Sequence, residues 1–341
     1  MLIPNLPSKF KNFGQYECHG SSDLYEFLSY KIAEDEELLV LASEARDGQP
    51  VPNLFFGAIH YLLLQGKEHV LKEFYPSIVE DPRTPQDSFQ SFKDFCRLYS
   101  QEIKEIVQTR IVQTNEVRRC AYLYPVFDYI YQQTKKPLAL IEIGTSAGLQ
   151  LLWDKYSYSY GTGETYGHPN ANVHLSSEIK GGHIPIFSEE MPPVASRVGV
   201  DLHINDLNIG EDFLWLKSLI WPEHEERRTL FEKAAQCVRG NPISLIEGDG
   251  VELLPSLIEA IPEEHSVCVF HTHVANQMQP EVKENLLAKI KASGRMRDIF
   301  HIYNNIQDRN LHLDYYLHAA EYKKLASQTE GHGKWFTWEL N

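Results

Sequence analysis

The chain has no apolar run long enough to cross a bilayer. Its longest, Leu54 to Leu64, is 11 residues and contains His60, whereas a spanning helix needs roughly 20. The start, Met1 to Pro7, has neither a basic cluster nor an apolar stretch behind it, so no secretory signal is expected. Cysteine is sparse. Cys18, Cys96, Cys120, Cys237 and Cys268 lie far apart, are odd in number and form no CxxC pair, which argues against a disulfide framework or a zinc ribbon. These absences point to a reduced, soluble, cytoplasmic protein without a membrane partner. Positive charge is also short: Lys and Arg number 32 against 47 Asp and Glu, a net charge of −15. Residues 1–134 carry 13 bases and 19 acids, so the acidity is spread out and is not a tail. Such a chain lacks the basic stripe that phosphate backbones need, and a nucleic-acid partner is not expected.

The 341 residues are 43% apolar and 23% charged, which suits a folded chain of one large or two ordinary domains. Residues 1–135 read as an all-helical domain. Ser21-Ser22-Asp23 offers an N-cap before Leu24, Phe27, Leu28 and Ile32 at helical spacing. Pro52 opens a second helix, which Gly66 closes. Phe89, Phe92, Cys96 and Leu98 mark a third, and Val117, Ala121, Tyr124 and Phe127 a fourth that contains Pro125.

From residue 136 to 341 the pattern is different. Leu138–Ile143 is a short, continuous apolar run, as a buried parallel strand requires. Further strands are expected at Arg197–Asp201, Ile243–Ile246, Ser266–Phe270 and Ile299–Tyr303, with helices at 213–238 (interrupted at Trp221-Pro222), 251–260 and 280–292. Residues 156–193 form a polar, Tyr-rich insertion, mostly loop with room for a small hairpin. Period-two alternation at 322–328 and 334–340, around Glu330-Gly-His-Gly333, predicts a terminal β-hairpin. The fold class is therefore α/β: a mostly parallel sheet with a C-terminal antiparallel hairpin, and the helical domain as a cap over its ligand edge.

Ligands of such sheets bind beyond the carboxyl ends of the strands. The residues there are Glu142, Gly144-Thr-Ser146-Ala-Gly148, Asp201, Asp249, His271 and His273. A glycine-rich turn between strand and helix lets a ligand approach the backbone and presents N–H groups to it. An acid ending the second strand suits ribose hydroxyls; Asp201 fits by position, although it stands 57 residues after Gly144 where roughly 20 is usual. Asp249 could meet an adenine amino group, and either acid could instead cap the following helix. His271 and His273 share a face if the strand continues. They could serve as general base or pack a strand end; with no third ligand in view, no metal site is expected. Gln113, Asn115 and Glu116, with Arg110, Arg118 and Arg119 nearby, could bind substrate, or form a capping box with the arginines on a solvated face. Asp154 and Tyr156 follow the first turn and are further candidates for lining the site.

An acid two residues before a glycine turn, with acids ending strands two and three, resembles class I S-adenosylmethionine-dependent methyltransferases. The resemblance implies a Rossmann-like sheet and methyl transfer to the oxygen or nitrogen of a small molecule. Glu142, Gly144, Ser146 and Gly148 would then cradle the amino-acid end of S-adenosylmethionine, Asp201 its ribose and Asp249 its adenine, with His271 or His273 as base. The terminal hairpin resembles the antiparallel pair that finishes those sheets. More narrowly, the chain resembles an uncharacterised bacterial family, domain of unknown function two-three-three-two. That resemblance rests on Gln113-Thr-Asn-Glu116, Glu142–Gly161, Arg197–Asp201, Gly248-Asp249 and His332-Gly-Lys-Trp335. Two departures from the methyltransferase pattern stand out. Ser146 replaces the middle glycine, and Phe270-His-Thr-His273 stands where an Asn/Asp-Pro-Pro-Tyr motif would. Gly144-Thr-Ser146-Ala-Gly148 also matches the G-x-S-x-G elbow of serine hydrolases, with Ser146 as nucleophile. A non-catalytic nucleotide-binding protein is a third reading.

Overall fold

A computed structural model describes residues 5–114 and 116–340. The chain divides into two compact units, Met1–Thr114 with Asn208–Thr229, and Asn115–Leu207 with Leu230–Asn341. The border expected at 135/136 thus falls inside the second unit, and a later segment, 208–229, belongs to the first. No described helix is long and apolar enough to cross a membrane. All five cysteines are free.

The helical unit is built around helix Val51–Leu64, which buries every residue but Asn53 and Leu64, as an all-round apolar helix must. Phe10, Phe13, Tyr25 and Phe92 surround Phe56, Tyr25 stacking on it at 4.2 Å, and Phe55 packs edge-on against Phe10 and Phe92. Helix Asp23–Ile32 starts as its sequence suggests, with Ser22 Oγ accepting the Tyr25 N–H at 3.1 Å. His60 is fully buried, bonded through Nδ1 to the Ser218 carbonyl at 2.9 Å and through Nε2 to the Ser77 hydroxyl at 2.8 Å.

The second unit holds a seven-stranded sheet: β1 Leu138–Ile143, β2 Val194–Asp201, β3 Ser244–Glu247, β4 Ser266–His271, β5 Ile299–Tyr303, β6 Leu311–Leu317 and β7 Ala320–Ser327. Their spatial order is β7-β6-β5-β4-β1-β2-β3. β3, β2, β1, β4 and β5 are parallel; β6 and β7 are antiparallel additions. β1 is central and wholly buried, which is why its sequence is continuously apolar. Ala139, Ile141 and Ile143 on one face pack with Val251, Leu254, Val267, Val269, Leu286 and Ile299. Alternation therefore puts Glu142 on the opposite face with Leu138 and Leu140. That side holds Phe127 of helix Cys120–Thr134, which lies 4.8 Å from Trp153 and 5.3 Å from Phe270.

The expected C-terminal hairpin needs correction. The antiparallel end of the sheet is β6 with β7; the 311–317 strand is additional to the expected ones, and its buried residues Leu311, Leu313 and Tyr315 are joined by Asp314. Residues 334–340 do fold back on 326–330, through Glu330 N–H to Trp335 O and Thr337 N–H to Gln328 O. Trp335–Thr337, however, pairs in parallel with Glu178–Lys180, outside the main sheet. The Tyr-rich insertion is likewise more ordered than a loop. Ser157–Ser159 pairs antiparallel with Thr165–Gly167 and parallel with His174–Ser176. Tyr124, Tyr158, Tyr160 and Tyr166 stack around Phe187 and one another, so the tyrosines supply the apolar area that the short strands lack.

Candidate functional site

The strand order reverses between β1 and β4, and the polar groups gather at their carboxyl ends. The chain leaves β1 through three positive-φ residues, Gly144 (74°), Ser146 (52°) and Gly148 (75°). A Cβ on Gly144 would lie 2.3 Å from Val274 Cγ2, and one on Gly148 would lie 2.4 Å from Ile243 Cδ1. Both glycines are therefore required twice over, by backbone conformation and by packing. Ser146 takes a left-handed conformation that costs an L-residue roughly 1–2 kcal/mol. Hydrogen bonds offset it: its N–H donates to Asp201 Oδ2 at 2.8 Å, and its carbonyl and hydroxyl accept from Asn205 N–H and Nδ2 at 3.1 and 3.0 Å.

The turn presents fewer free N–H groups than its sequence suggests. Those of Gly144 and Thr145 donate to Val200 O, that of Ser146 to Asp201 and that of Gly148 to Thr145 O. Asp201 holds the second-strand end against this turn, its other oxygen accepting the His203 N–H at 3.1 Å. Burial raises its pKa, the backbone N–H donors opposing. Glu142 is 3% exposed and accepts the Thr145 hydroxyl at 2.6 Å. Burial pushes its pKa up to about 8, the Thr145 bond and the Arg119 charge pulling the other way. At neutral pH it is mostly a neutral carboxyl.

At the end of β4 the strand stops at His271, and His273 has φ 58°. The condition for the two histidines to share a face is therefore not met. His273 donates its N–H to Asn304 Oδ1 at 2.6 Å, and its Nδ1 faces Asn305 Nδ2 at 3.4 Å. Its Nε2 is buried with no partner among the described residues. Burial, then the charge of Arg119, lowers its pKa to about 3. Arg119 is itself 6% exposed, not on a solvated face as the capping-box reading has it, and Arg118 is as buried. Arg119 donates from Nε to Gly331 O at 3.0 Å and from Nη1 to the carbonyl and hydroxyl of Thr272 at 3.4 and 3.3 Å. The Thr272 hydroxyl passes the chain on to Gln150 Oε1 at 3.1 Å.

His271 lies on the other face of the sheet, fully buried, its Nε2 3.3 Å from that of His301. The rings continue through Tyr303, whose hydroxyl donates to Asp314 at 3.0 Å. Burial lowers the pKa of His271 to about 3 and that of His301 well below its usual value. Both imidazoles are neutral at physiological pH.

The remaining candidates have structural partners. Asp249 Oδ1 caps helix Gly250–Glu259, accepting the Val251 and Glu252 N–H groups at 2.8 and 3.2 Å. Asp154 pairs with Arg197 at 2.6 Å and Lys155 at 3.0 Å. Tyr156 is fully buried and donates to Leu149 O at 2.7 Å. Glu116 accepts the Arg118 N–H at 3.3 Å. Gln113 is half-buried in the helical unit, and Asn115 lies outside the described residues. The structure thus brings together Glu142, Gly144, Ser146 and Asp201, and beside β4 His273 with Arg119. Thr272, Gln150, Asn304 and His301 were missed as site residues. Asn304 directly follows β5, so the rule that ligands meet strand ends would have found it. Among the described residues no group of three or more His, Cys, Asp or Glu is placed to hold a metal ion.

These features define a mixed α/β protein with a mostly parallel central sheet and a polar cluster at its carboxyl edge. The chain belongs to a family described as uncharacterized protein conserved in bacteria (DUF2332), whose model matches residues 7–338. No curated protein and no solved structure matches it.

Proposed function

We propose that the sheet unit is a Rossmann-like domain that binds S-adenosylmethionine and transfers its methyl group to a small molecule. The order β3-β2-β1-β4-β5, parallel throughout, is that of doubly wound nucleotide-binding sheets, whose ligands lie where the order reverses. The observation that carries the reading is the docking of Asp201 on the turn after β1, with Oδ2 2.8 Å from Ser146 N. The Ser146 and His203 N–H groups each take one site on Asp201, and a carboxylate has about four acceptor sites, which leaves room for a ribose hydroxyl. Asp249 Oδ2 is not used by the cap and is left for an adenine amino group. Glu142 meets the ammonium of the amino-acid end, a cation beside it favouring its ionised form. When bound, the cofactor supplies an electrophilic methyl group.

The protein's part is positioning and exclusion of water. With a pKa of about 3, His273 is too weak a base to hold a proton at neutral pH. It orients the acceptor by hydrogen bonding. His271 stays sealed against His301 as a structural pair. The hydrolase reading has one supporting observation, the positive φ of Ser146. Its Oγ accepts from an amide, Asn205 Nδ2, which cannot take up a proton as a catalytic base must.

Calorimetric titration with S-adenosylhomocysteine tests the reading. Saturable binding in the wild type, weakened at least about tenfold in Asp201→Ala by the lost charged acceptor, supports it. No heat and no thermal stabilisation at millimolar ligand sinks it, and labelling of Ser146 by a fluorophosphonate would put the hydrolase in its place.

A further inference from the structure

Arg119 is a buried guanidinium whose partners are all neutral. Its hydrogen bonds go to Gly331 O, Thr272 O and Thr272 Oγ1, and no acid among the described residues forms an ion pair with it. Nη2 makes no hydrogen bond among the described residues. Glu142, the acid whose pKa the Arg119 charge lowers, is itself mostly protonated at neutral pH. A cation left only 6% exposed and without a counter-charge is unfavourable, so an arginine held this way calls for an anion.

Its neighbours lack acceptors in the same sense. His273 Nδ1 faces the amide nitrogen of Asn305, which also donates to Asn304 Oδ1 at 3.0 Å. Nδ1 is therefore the accepting nitrogen and Nε2 carries the proton. That Nε2–H is buried with no acceptor, as is Asn304 Nδ2 in the same network. Gly331 links the two side chains: its carbonyl takes Arg119 Nε, and a Cβ on it would lie 3.8 Å from His273 Cε1. The turn after β1, the usual place for an anion in such a sheet, has given the N–H groups of residues 144, 145, 146 and 148 to the protein's own oxygens.

We propose that Arg119 is the anchor for a carboxylate of the bound small molecule, with His273 Nε2–H as a second donor. As a statement about the site's ligand it deepens the methyltransferase reading. The carboxylate comes from the amino-acid end of the cofactor or from the methyl acceptor. The two sources share the same chemistry.

The first test needs no variant. The full chain is melted in acetate, succinate and benzoate, each against its neutral amide at matched ionic strength. Saturable stabilisation by the carboxylates and none by the amides is expected; equal melting within every pair overturns the proposal. Arg119→Met should abolish the effect, and Arg119→Lys, which keeps the charge, should retain part of it. Loss in Met with partial retention in Lys separates a lost charge from a lost fold. The source follows from S-adenosylhomocysteine against methylthioadenosine, the same nucleoside thioether without the amino-acid end. If the cofactor supplies the carboxylate, Arg119→Met weakens the first about 10- to 100-fold, the range for a lost charge-assisted hydrogen bond, and leaves the second unchanged. If the acceptor supplies it, only the simple carboxylates lose their effect. Carboxylate stabilisation that requires Arg119 in a protein that binds no S-adenosylhomocysteine keeps this proposal and removes the methyltransferase reading. Cofactor binding indifferent to Arg119, with silent carboxylates, does the reverse.

Discussion

Glu142→Gln should stabilise the sheet unit, by an amount that depends on pH. Burial lifts the folded pKa of Glu142 from 4.5 to about 8. Between those values the folded state keeps a proton that the unfolded chain has released. The stability this group contributes is thus complete below about pH 4.5 and is lost as pH rises through about 8. At about 1.4 kcal/mol per unit, the loss reaches about 3 kcal/mol by pH 7. Glutamine has no proton to release, and its carbonyl still accepts the Thr145 hydroxyl. Other titrating groups are common to both proteins and cancel in the difference. For a unit of this size about 3 kcal/mol corresponds to about 6–12 °C in melting temperature. Scanning calorimetry at about pH 5 and about pH 7.5 should show the two proteins melting close together at the lower pH and Glu142→Gln well above wild type at the higher. A difference that does not change with pH, or a variant less stable at neutral pH, would refute the reasoning.

Two further outcomes follow from the packing. Gly144→Ala adds a Cβ at 2.3 Å from Val274 Cγ2 on a positive-φ residue and should cost about 3 kcal/mol from strain and overpacking together. Val274→Ala in the same chain should recover part of it, with a coupling of about 1 kcal/mol or more in a double-mutant cycle; strict additivity would show that the clash is not the cause. In the helical unit the sign of the pH effect reverses. Burial holds His60 neutral and lowers its pKa from 6.5 to about 3, so its contribution is present above 6.5 and is lost as pH falls toward about 3. The stability difference between wild type and His60→Gln should shrink on acidification below that point, and a pH-independent difference would contradict the assignment.

The five parallel strands were legible because each is a short apolar run bounded by turn residues. β1 and β5 have the bounds their sequences predict. β6 was not read, since His312 and Asp314 interrupt its apolar residues and both are drawn in by Tyr303 from the next strand. The order of the Tyr-rich insertion depends on ring stacking between distant residues, which no local pattern reports. Strand-end positions single out Glu142, Asp201 and His273 as candidates. They could not tell that Asp249 Oδ1 is given to a helix cap, or that Asp154 is paired with Arg197 from a strand 43 residues away. The burial of Arg119 has no local signal. A basic residue beside a helix start reads as solvated, and only the fold brings Thr272 and Gly331 to cover it.

Hydrogen exchange of the full chain with and without saturating S-adenosylhomocysteine tests the location of the ligand most directly. Slower exchange confined to the turn at 144–150 and the segments ending β2 and β4 is the result the account predicts. Unchanged exchange there, or protection confined to other parts of the chain, would contradict it.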